Sequence, residues 1–322
     1  MTLKAPDFWR RDGFVPMLLE PFGWCYGWVG KVKRATAQPW RATVPVLCVG
    51  NLITGGAGKT PVALDLARRL IARGVAPHIL TRGYGGNLAG PVRVDPAKHN
   101  FLEVGDEALL LASVAPVWVA RNRAAGAHAA VEAGAGSLIL DDGFQNPNLH
   151  QDFGLIVVDG EYGFGNGRVL PAGPLREPIA AGLARARAVV LIGEDRANIG
   201  KQLAALPLLR AKFVPRDTES NLRGRRFVAL AGIGRPEKFF TLLQELGAEI
   251  VARYPVPDHH RFSETELRHY LETAERLSAE AITTEKDWVR IPPLLQSRFR
   301  TLPIEVSWHD PARLESLLDS LF

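Results

Sequence analysis

From residue 40 onward the chain alternates short apolar runs with glycine-marked turns and amphipathic stretches. The runs at 44–49, 77–80, 117–119, 137–140, 155–158 and 188–192 are almost continuously apolar, as strands covered on both faces are. Between them lie segments with one apolar face, such as 61–73, where Val62, Leu66 and Leu70 recur every four residues; 106–114 and 123–133 are similar. This alternation predicts an α/β fold: an open parallel sheet with helices on both faces. A second series, with strands at 226–230, 250–256, 281–284 and 304–306 and helices at 236–246, 263–277 and 311–321, predicts a smaller C-terminal domain of the same class. The polar stretch 215–225 separates the two series and is the expected linker. Three units follow: an N-terminal segment 1–35, a main domain 36–220 and a C-terminal α/β domain 221–322.

The N-terminal segment departs from this pattern. Residues 12–30 are rich in aromatic and aliphatic side chains, yet they carry Glu20, Pro16 and Pro21. A charge and a proline near the centre of a spanning helix are costly, so the stretch is better suited to lying on a membrane than to crossing one. Basic residues flank it (Lys4, Arg10 and Arg11, then Lys31, Lys33 and Arg34), and Phe14, Phe22, Trp24, Tyr26 and Trp28 suit headgroup depth. A helix packed on the protein's own core competes with this reading. A cleaved signal peptide fits less well, because Glu20 and Pro21 interrupt its apolar region and a nucleotide motif follows closely.

Composition narrows the class without changing the fold. At 322 residues, 47% hydrophobic and 23% charged, the chain is that of a globular protein of more than one domain. Two cysteines, Cys25 and Cys48, are too few for a disulfide framework or a thiolate metal site. The net charge of +5 favours anionic partners. No helix-turn-helix, zinc-finger or RNA-recognition signature accompanies it, so a phosphorylated small molecule or a membrane surface is expected rather than nucleic acid.

The strongest chemical signal spans 44–70, where an apolar strand runs into a glycine-rich turn, then Lys59 and Thr60, then an amphipathic helix: the context of a P-loop. Residues Ile53, Thr54, Gly55, Gly56, Ala57, Gly58, Lys59 and Thr60 would form the nucleotide cradle. There, backbone amides face an anion, Lys59 reaches the β- and γ-phosphates of ATP, and the Thr60 hydroxyl can ligate Mg²⁺. Ile53 stands where the first glycine of the usual spacing falls. Asp141 and Asp142 end the apolar strand of SLILDDGFQN, the usual place for a magnesium-holding carboxylate, although Asp-Gly is also a turn signal. Asp106 and Glu107 open a helix, where capping explains them as well as catalysis does. Arg121 and Arg123 follow another strand and suit either a phosphate or a solvated face. The glycine- and proline-rich stretch 163–178 holds Arg168 and Arg176 and is long enough to be a functional loop. Asp258, His259 and His260 lie together in the second domain, a plausible acid/base element.

In this order, VGNLITGGAGKTP, LTRGYGG, VGDEALLLA, VARNR, LILDDGFQN, GFGNGRVLPAGPLREP, PDHHRF and TTEKDWVR closely resemble the tetraacyldisaccharide 4'-kinases, the lipid A 4'-kinase family of Gram-negative bacteria. The resemblance implies ATP- and Mg²⁺-dependent phosphorylation of the 4'-hydroxyl of a tetraacylated glucosamine disaccharide 1-phosphate to lipid IVA. It also implies action at the cytoplasmic face of the inner membrane, two Rossmann-like domains and a membrane-associated N-terminal helix. By the same resemblance Asp106 activates the sugar hydroxyl with His259, Asp141 and Asp142 are Walker-B-like acids, and Glu107 aids the metal. Arg176, with Arg121 or Arg123, would meet phosphates. Asn146 replaces the histidine of the common DDGFQH pattern, so no role for that histidine carries over. The alternative class is a nucleotide-dependent switch or metallochaperone GTPase, for which TEKD at 284–287 imitates a guanine-reading motif but lacks its Asn.

Overall fold

The structure, a computed structural model, describes residues 6–203, 206–216 and 222–321. Part of the expected linker, 217–221, lies outside the described residues, as does Lys4. Thirteen strands follow in chain order: β1 (Val46–Gly50), β2 (Pro77–Thr81), β3 (Val92–Arg93), β4 (Val117–Val119), β5 (Ser137–Asp141), β6 (Phe153–Asp159), β7 (Ala188–Ile192), β8 (Leu208–Pro215), β9 (Arg226–Ala231), β10 (Glu249–Pro255), β11 (Glu280–Thr284), β12 (Phe299–Leu302) and β13 (Ile304–Trp308). Nine form one sheet in the order β13-β8-β7-β6-β1-β5-β2-β4-β3, and four form a second in the order β10-β9-β11-β12.

The large sheet is parallel from β8 to β4, with an antiparallel strand at each edge. Strands β1, β2, β5, β6 and β7 are buried along their whole length, which explains their unbroken apolar sequence. The helices Lys59–Ala72 and Arg123–Glu132 cover opposite faces, the first packing Val62, Leu66 and Leu70 into one core and the second placing Ala127 and Ala130 in the other. Strand β1 lies between β5 and β6, the neighbours reached by chain paths that leave it in opposite directions. Such a switch point opens a crevice at the carboxyl ends of the strands, where ligands of α/β sheets bind. The small sheet is wholly parallel, with Phe239, Phe240 and Leu243 packed on one face and Leu267, Tyr270 and Leu271 on the other.

The C-terminal boundary differs from expectation. Residues 304–319 do not stay with the small sheet: β13 pairs antiparallel with β8, and the helix Pro311–Asp319 packs Leu314 and Leu318 into the core of the large sheet. Burial of Val306 and Trp308 against that core draws the chain back, and the Trp308 indole donates to Asp65 Oδ2 at 2.8 Å. The expected domain 221–322 therefore gives its last strand and helix to the larger body. Strand β8 was not apparent from apolar runs because Arg210 and Lys212 interrupt it. The chain crosses between the bodies twice, and the crossings touch where the Arg216 amide donates to Pro303 O at 2.9 Å.

The N-terminal segment forms a 23-residue helix, Phe14–Thr36. Pro16 and Gly23 are its buried positions; Gly23 faces Val169 of the stretch 163–178, and Arg168 pairs with both Glu20 and Asp12. Its aromatic side is bare: Phe14 is 73% exposed, Trp24 68% and Trp28 65%. Among the described residues, no helix is long and apolar enough to cross a membrane.

Candidate active site

The glycine turn leaves β1 and ends on the helix that Lys59 begins. Gly58 caps that helix at φ 87°, a left-handed conformation with no room for a side chain, since an added Cβ would sit 2.6 Å from the Phe213 ring. Ile53, at the position of the usual first glycine, is buried and bridges to Leu175, and the Thr54 amide donates to Pro174 O at 2.8 Å. The start of the turn is thus tied to the 163–178 stretch through the backbone, with the Ile53 side chain buried beside it. Ala57 is buried, and Gly56 faces Gly234 of the small-sheet body closely enough that a Cβ on Gly234 would stand 3.1 Å from the Gly56 nitrogen.

Parallel register sets Asp141 beside Val49, at the root of this turn. Thr60 Oγ1 donates to Asp141 Oδ2 at 3.2 Å, while Asp141 Oδ1 is buried without a hydrogen-bond partner. Burial, with the Glu107 carboxylate nearby, pushes the Asp141 carboxyl up to about 7. Asp142 lies beyond the strand at φ 54°, so strand alternation does not govern its direction. It meets Arg176 through two hydrogen bonds, 2.7 and 3.2 Å, and Lys59 Nζ at 3.6 Å. Burial opposes its charge, yet Lys59 and Arg176 hold its carboxyl below the usual range. The two neighbouring acids therefore differ sharply: Asp142 is satisfied by cations, and Asp141 has a free oxygen.

Across the crevice, Asp106 starts the helix Asp106–Leu111 and is 3% exposed. His259, at φ 58° in the loop after β10, places Nδ1 2.9 Å from Asp106 Oδ2 and 3.0 Å from Oδ1. Arg290 Nε adds a contact at 3.3 Å to Oδ2. Burial pushes the Asp106 carboxyl up, but His259, Lys286 and Arg290 outweigh it and hold the group below its ordinary value. His260 turns away and pairs with Glu266 at 2.9 Å. Tyr84, Gly85, Phe101, Asp106, His259, Arg261 and Arg290 line a cleft of about 230 Å³, with the Tyr84 ring 4.9 Å from that of His259.

The other expected residues take different places around these groups. Arg121 is exposed, its guanidinium 3.5 Å from Asn87 O. Arg123 is buried, donates to Ala120 O and stands near enough to Asp142 and Asp141 to interact with their charges, although burial outweighs them and pushes its pKa down to about 10. Glu107 is engaged by Lys286 at 3.0 Å. Sequence reasoning assigned no role to Lys286, Asp287 and Arg290, whose i, i+1, i+4 spacing in TTEKDWVR was the available signal. It also missed Asp159, buried at the end of β6, which pairs with Arg235 at 2.8 Å and with Lys238.

A model of the tetraacyldisaccharide-1-P 4'-kinases matches residues 15–322. The chain belongs to this family. It is 53% identical to the tetraacyldisaccharide 4'-kinase of Rhodospirillum centenum, over 99% of this chain and 97% of that one, and 52% identical to that of Paramagnetospirillum magneticum, over 99% of both. A crystal structure of LpxK from Aquifex aeolicus in complex with ATP superposes with a TM-score of 0.73 at 26% identity, covering 96% of this chain and all of that one. The alternative of a GTPase switch is not supported. In TEKD, Lys286 pairs with Glu107 and Asp287 takes the Gly232 amide, so neither is free to read a base.

Proposed function

We propose that the chain transfers the γ-phosphoryl group of ATP to the 4'-hydroxyl of a tetraacylated glucosamine disaccharide 1-phosphate, at the cytoplasmic face of the inner membrane. Family membership supplies the reaction; the observation that carries the residue assignment is the Asp106–His259 pair, which joins the two sheet bodies over one cleft.

In this reading the turn 53–60 is a P-loop whose amides hold the triphosphate, with Lys59 beside its outer phosphates. Arg176, already at the Asp142 carboxylate, lies close enough to share that work. Asp141 and Thr60 fit Mg²⁺: a buried carboxylate oxygen without a partner and a hydroxyl beside it suit a cation that takes one or two protein ligands and fills the rest with water and phosphate oxygens. Among the described residues no group of three metal-binding side chains is assembled, and such a cation needs none. Mg²⁺ would neutralise charge on the phosphates. Asp106, ionised at neutral pH, orients the sugar hydroxyl and accepts its proton as the new O–P bond forms and the bond to the ADP oxygen breaks. A carboxylate is a weak base toward an alcohol, so the proton moves late, and positioning with charge neutralisation does most of the work. The small-sheet body with His259 is a second α/β domain that completes the site. The bare aromatic side of the helix Phe14–Thr36 rests in the membrane interface, where the acyl chains of the substrate remain.

The test is transfer itself. Full-length protein in detergent, given γ-³²P-ATP, Mg²⁺ and tetraacyldisaccharide 1-phosphate, should yield labelled lipid, and Asp106→Ala and Lys59→Ala should each lose it while keeping the wild-type circular dichroism spectrum. Nucleotide hydrolysis without labelled lipid would refute the reading.

A further inference from the structure

The segment 284–290 has no part in the reaction as derived, yet two of its side chains, Lys286 and Arg290, reach the Asp106–His259 pair, and a third, Asp287, holds Arg290. Asp287 accepts two hydrogen bonds from the Gly232 amide, both 3.0 Å, and Arg290 spans Asp287, His260 O, Gly232 O and Asp106. These two brace the loops. Lys286 differs, because its ammonium reaches the imidazole itself. Its Nζ lies 3.0 Å from Glu107 Oε1, 3.3 Å from Asp258 Oδ1 and 3.4 Å from His259 Nε2.

An ammonium has three N–H donors and no lone pair, so toward the imidazole it can only donate. Burial opposes its charge, but Glu107 and Asp258 beside it push the Lys286 pKa upward, so the ammonium is the form present. Nε2 must then present its lone pair, and the ring proton sits on Nδ1, facing Asp106. The Asp106 carboxylate facing Nδ1 draws the proton there as well; what it leaves open is a second proton on Nε2, which would make the ring an imidazolium. Tyr84 packs against the ring and fixes its plane, not its proton. Asp258 Oδ1 stands 3.7 Å from Nε2 and favours the opposite state, since a carboxylate draws a proton onto the nitrogen it faces. Lys286 occupies both of these groups.

We propose that Lys286 is a positioning residue for phosphoryl transfer: by donating to His259 Nε2 it keeps that nitrogen unprotonated, so the ring faces Asp106 as a neutral Nδ1–H donor. The inference rests on Asp106 being the accepting base. Two consequences follow for the chemistry. His259 keeps its proton throughout and cannot itself take the hydroxyl proton, because its only lone pair is engaged. The hydroxyl proton passes to Asp106 alone, whose carboxylate is held in register by the imidazole with its remaining lone pairs toward the cleft.

The experiment compares full-length wild type with Lys286→Met, which keeps the length of the side chain and removes the donor. In detergent with Mg-ATP and tetraacyldisaccharide 1-phosphate, kcat should fall roughly tenfold to a hundredfold, with KM for ATP within about twofold of wild type. In the same proteins labelled with ¹⁵N-histidine, at one pH, the His259 Nε2 resonance should be that of an unprotonated acceptor in wild type and of a protonated nitrogen in the variant. A protonated Nε2 in wild type, an unchanged Nε2 signal in the variant, or a wild-type kcat would each overturn the proposal. If Lys286→Met does not fold, Lys286→Arg decides: it keeps a cationic donor and should leave Nε2 unprotonated, and a protonated Nε2 there overturns the idea equally. A wild-type protein that labels no lipid would instead defeat the reading of the function, while the nitrogen resonance still reports on Lys286.

Discussion

Asp141 and Asp142 are chain neighbours with opposite electrostatics, and the difference is measurable. The Asp141 carboxyl, buried beside Glu107, titrates near 7 in the fold against 3.8 as its ordinary value. Between those values the folded state holds the extra proton, so this group makes the protein less stable as pH rises from about 4 to about 7. A cation at Asp141 must displace that proton, so Mg-ATP affinity should rise through the upper part of the same window. Asp141→Asn should raise thermal stability without nucleotide at pH 8, by about 1–3 kcal/mol, because no buried charge remains. It should also flatten the pH dependence of Mg-ATP binding measured by calorimetry. A variant whose magnesium affinity still climbs with pH as in wild type would place the cation elsewhere. The glycine turn, the paired acids and Asp106 were legible in the sequence because each lies in a short contiguous motif at a strand or helix end. Lys286 and Arg290 were not assigned, because what they do depends on partners such as Glu107 and Asp106, about 180 residues away in the chain.

Among the elements, the helix Phe14–Thr36 shows how a sequence pattern can be read correctly as apolar and still leave its partner open. Its two faces are divided unequally: Glu20, Gly23 and Arg34 meet the 163–178 stretch, with Arg34 Nη1 3.4 Å from Glu177, while the large aromatics point outward. Exposed apolar surface of this extent on one helix marks a contact surface. Replacing Phe22, Trp24 and Trp28 together by Glu should reduce cosedimentation with anionic phospholipid vesicles by roughly tenfold or more and leave ATP affinity within about twofold. Undiminished sedimentation would remove the helix from the membrane contact. Strand β13 teaches the converse lesson. Its apolar positions predicted a strand, but nothing local states which sheet it joins; that choice comes from Val306 and Trp308 finding the core beneath β8.

In the whole molecule, the two sheet bodies are held by polar contacts that cluster around the site: His259 with Asp106, Lys286 with Glu107, and Arg235 and Lys238 with Asp159. The last of these is buried at the end of β6, and burial is outweighed by the two cations, which hold the Asp159 carboxyl below its usual range. The same polar contacts that join the bodies therefore form the Asp106–His259 pair, and the turn carrying Gly234 is brought against Gly56. The central claim is that His259 works only through Asp106. A double-mutant cycle on kcat for transfer to the disaccharide lipid tests it most directly. Asp106→Ala should lose roughly 10²–10⁴-fold, His259→Ala less, and the double variant should match Asp106→Ala within about twofold; losses that multiply would show that His259 acts on the reaction by a route of its own and would contradict the account.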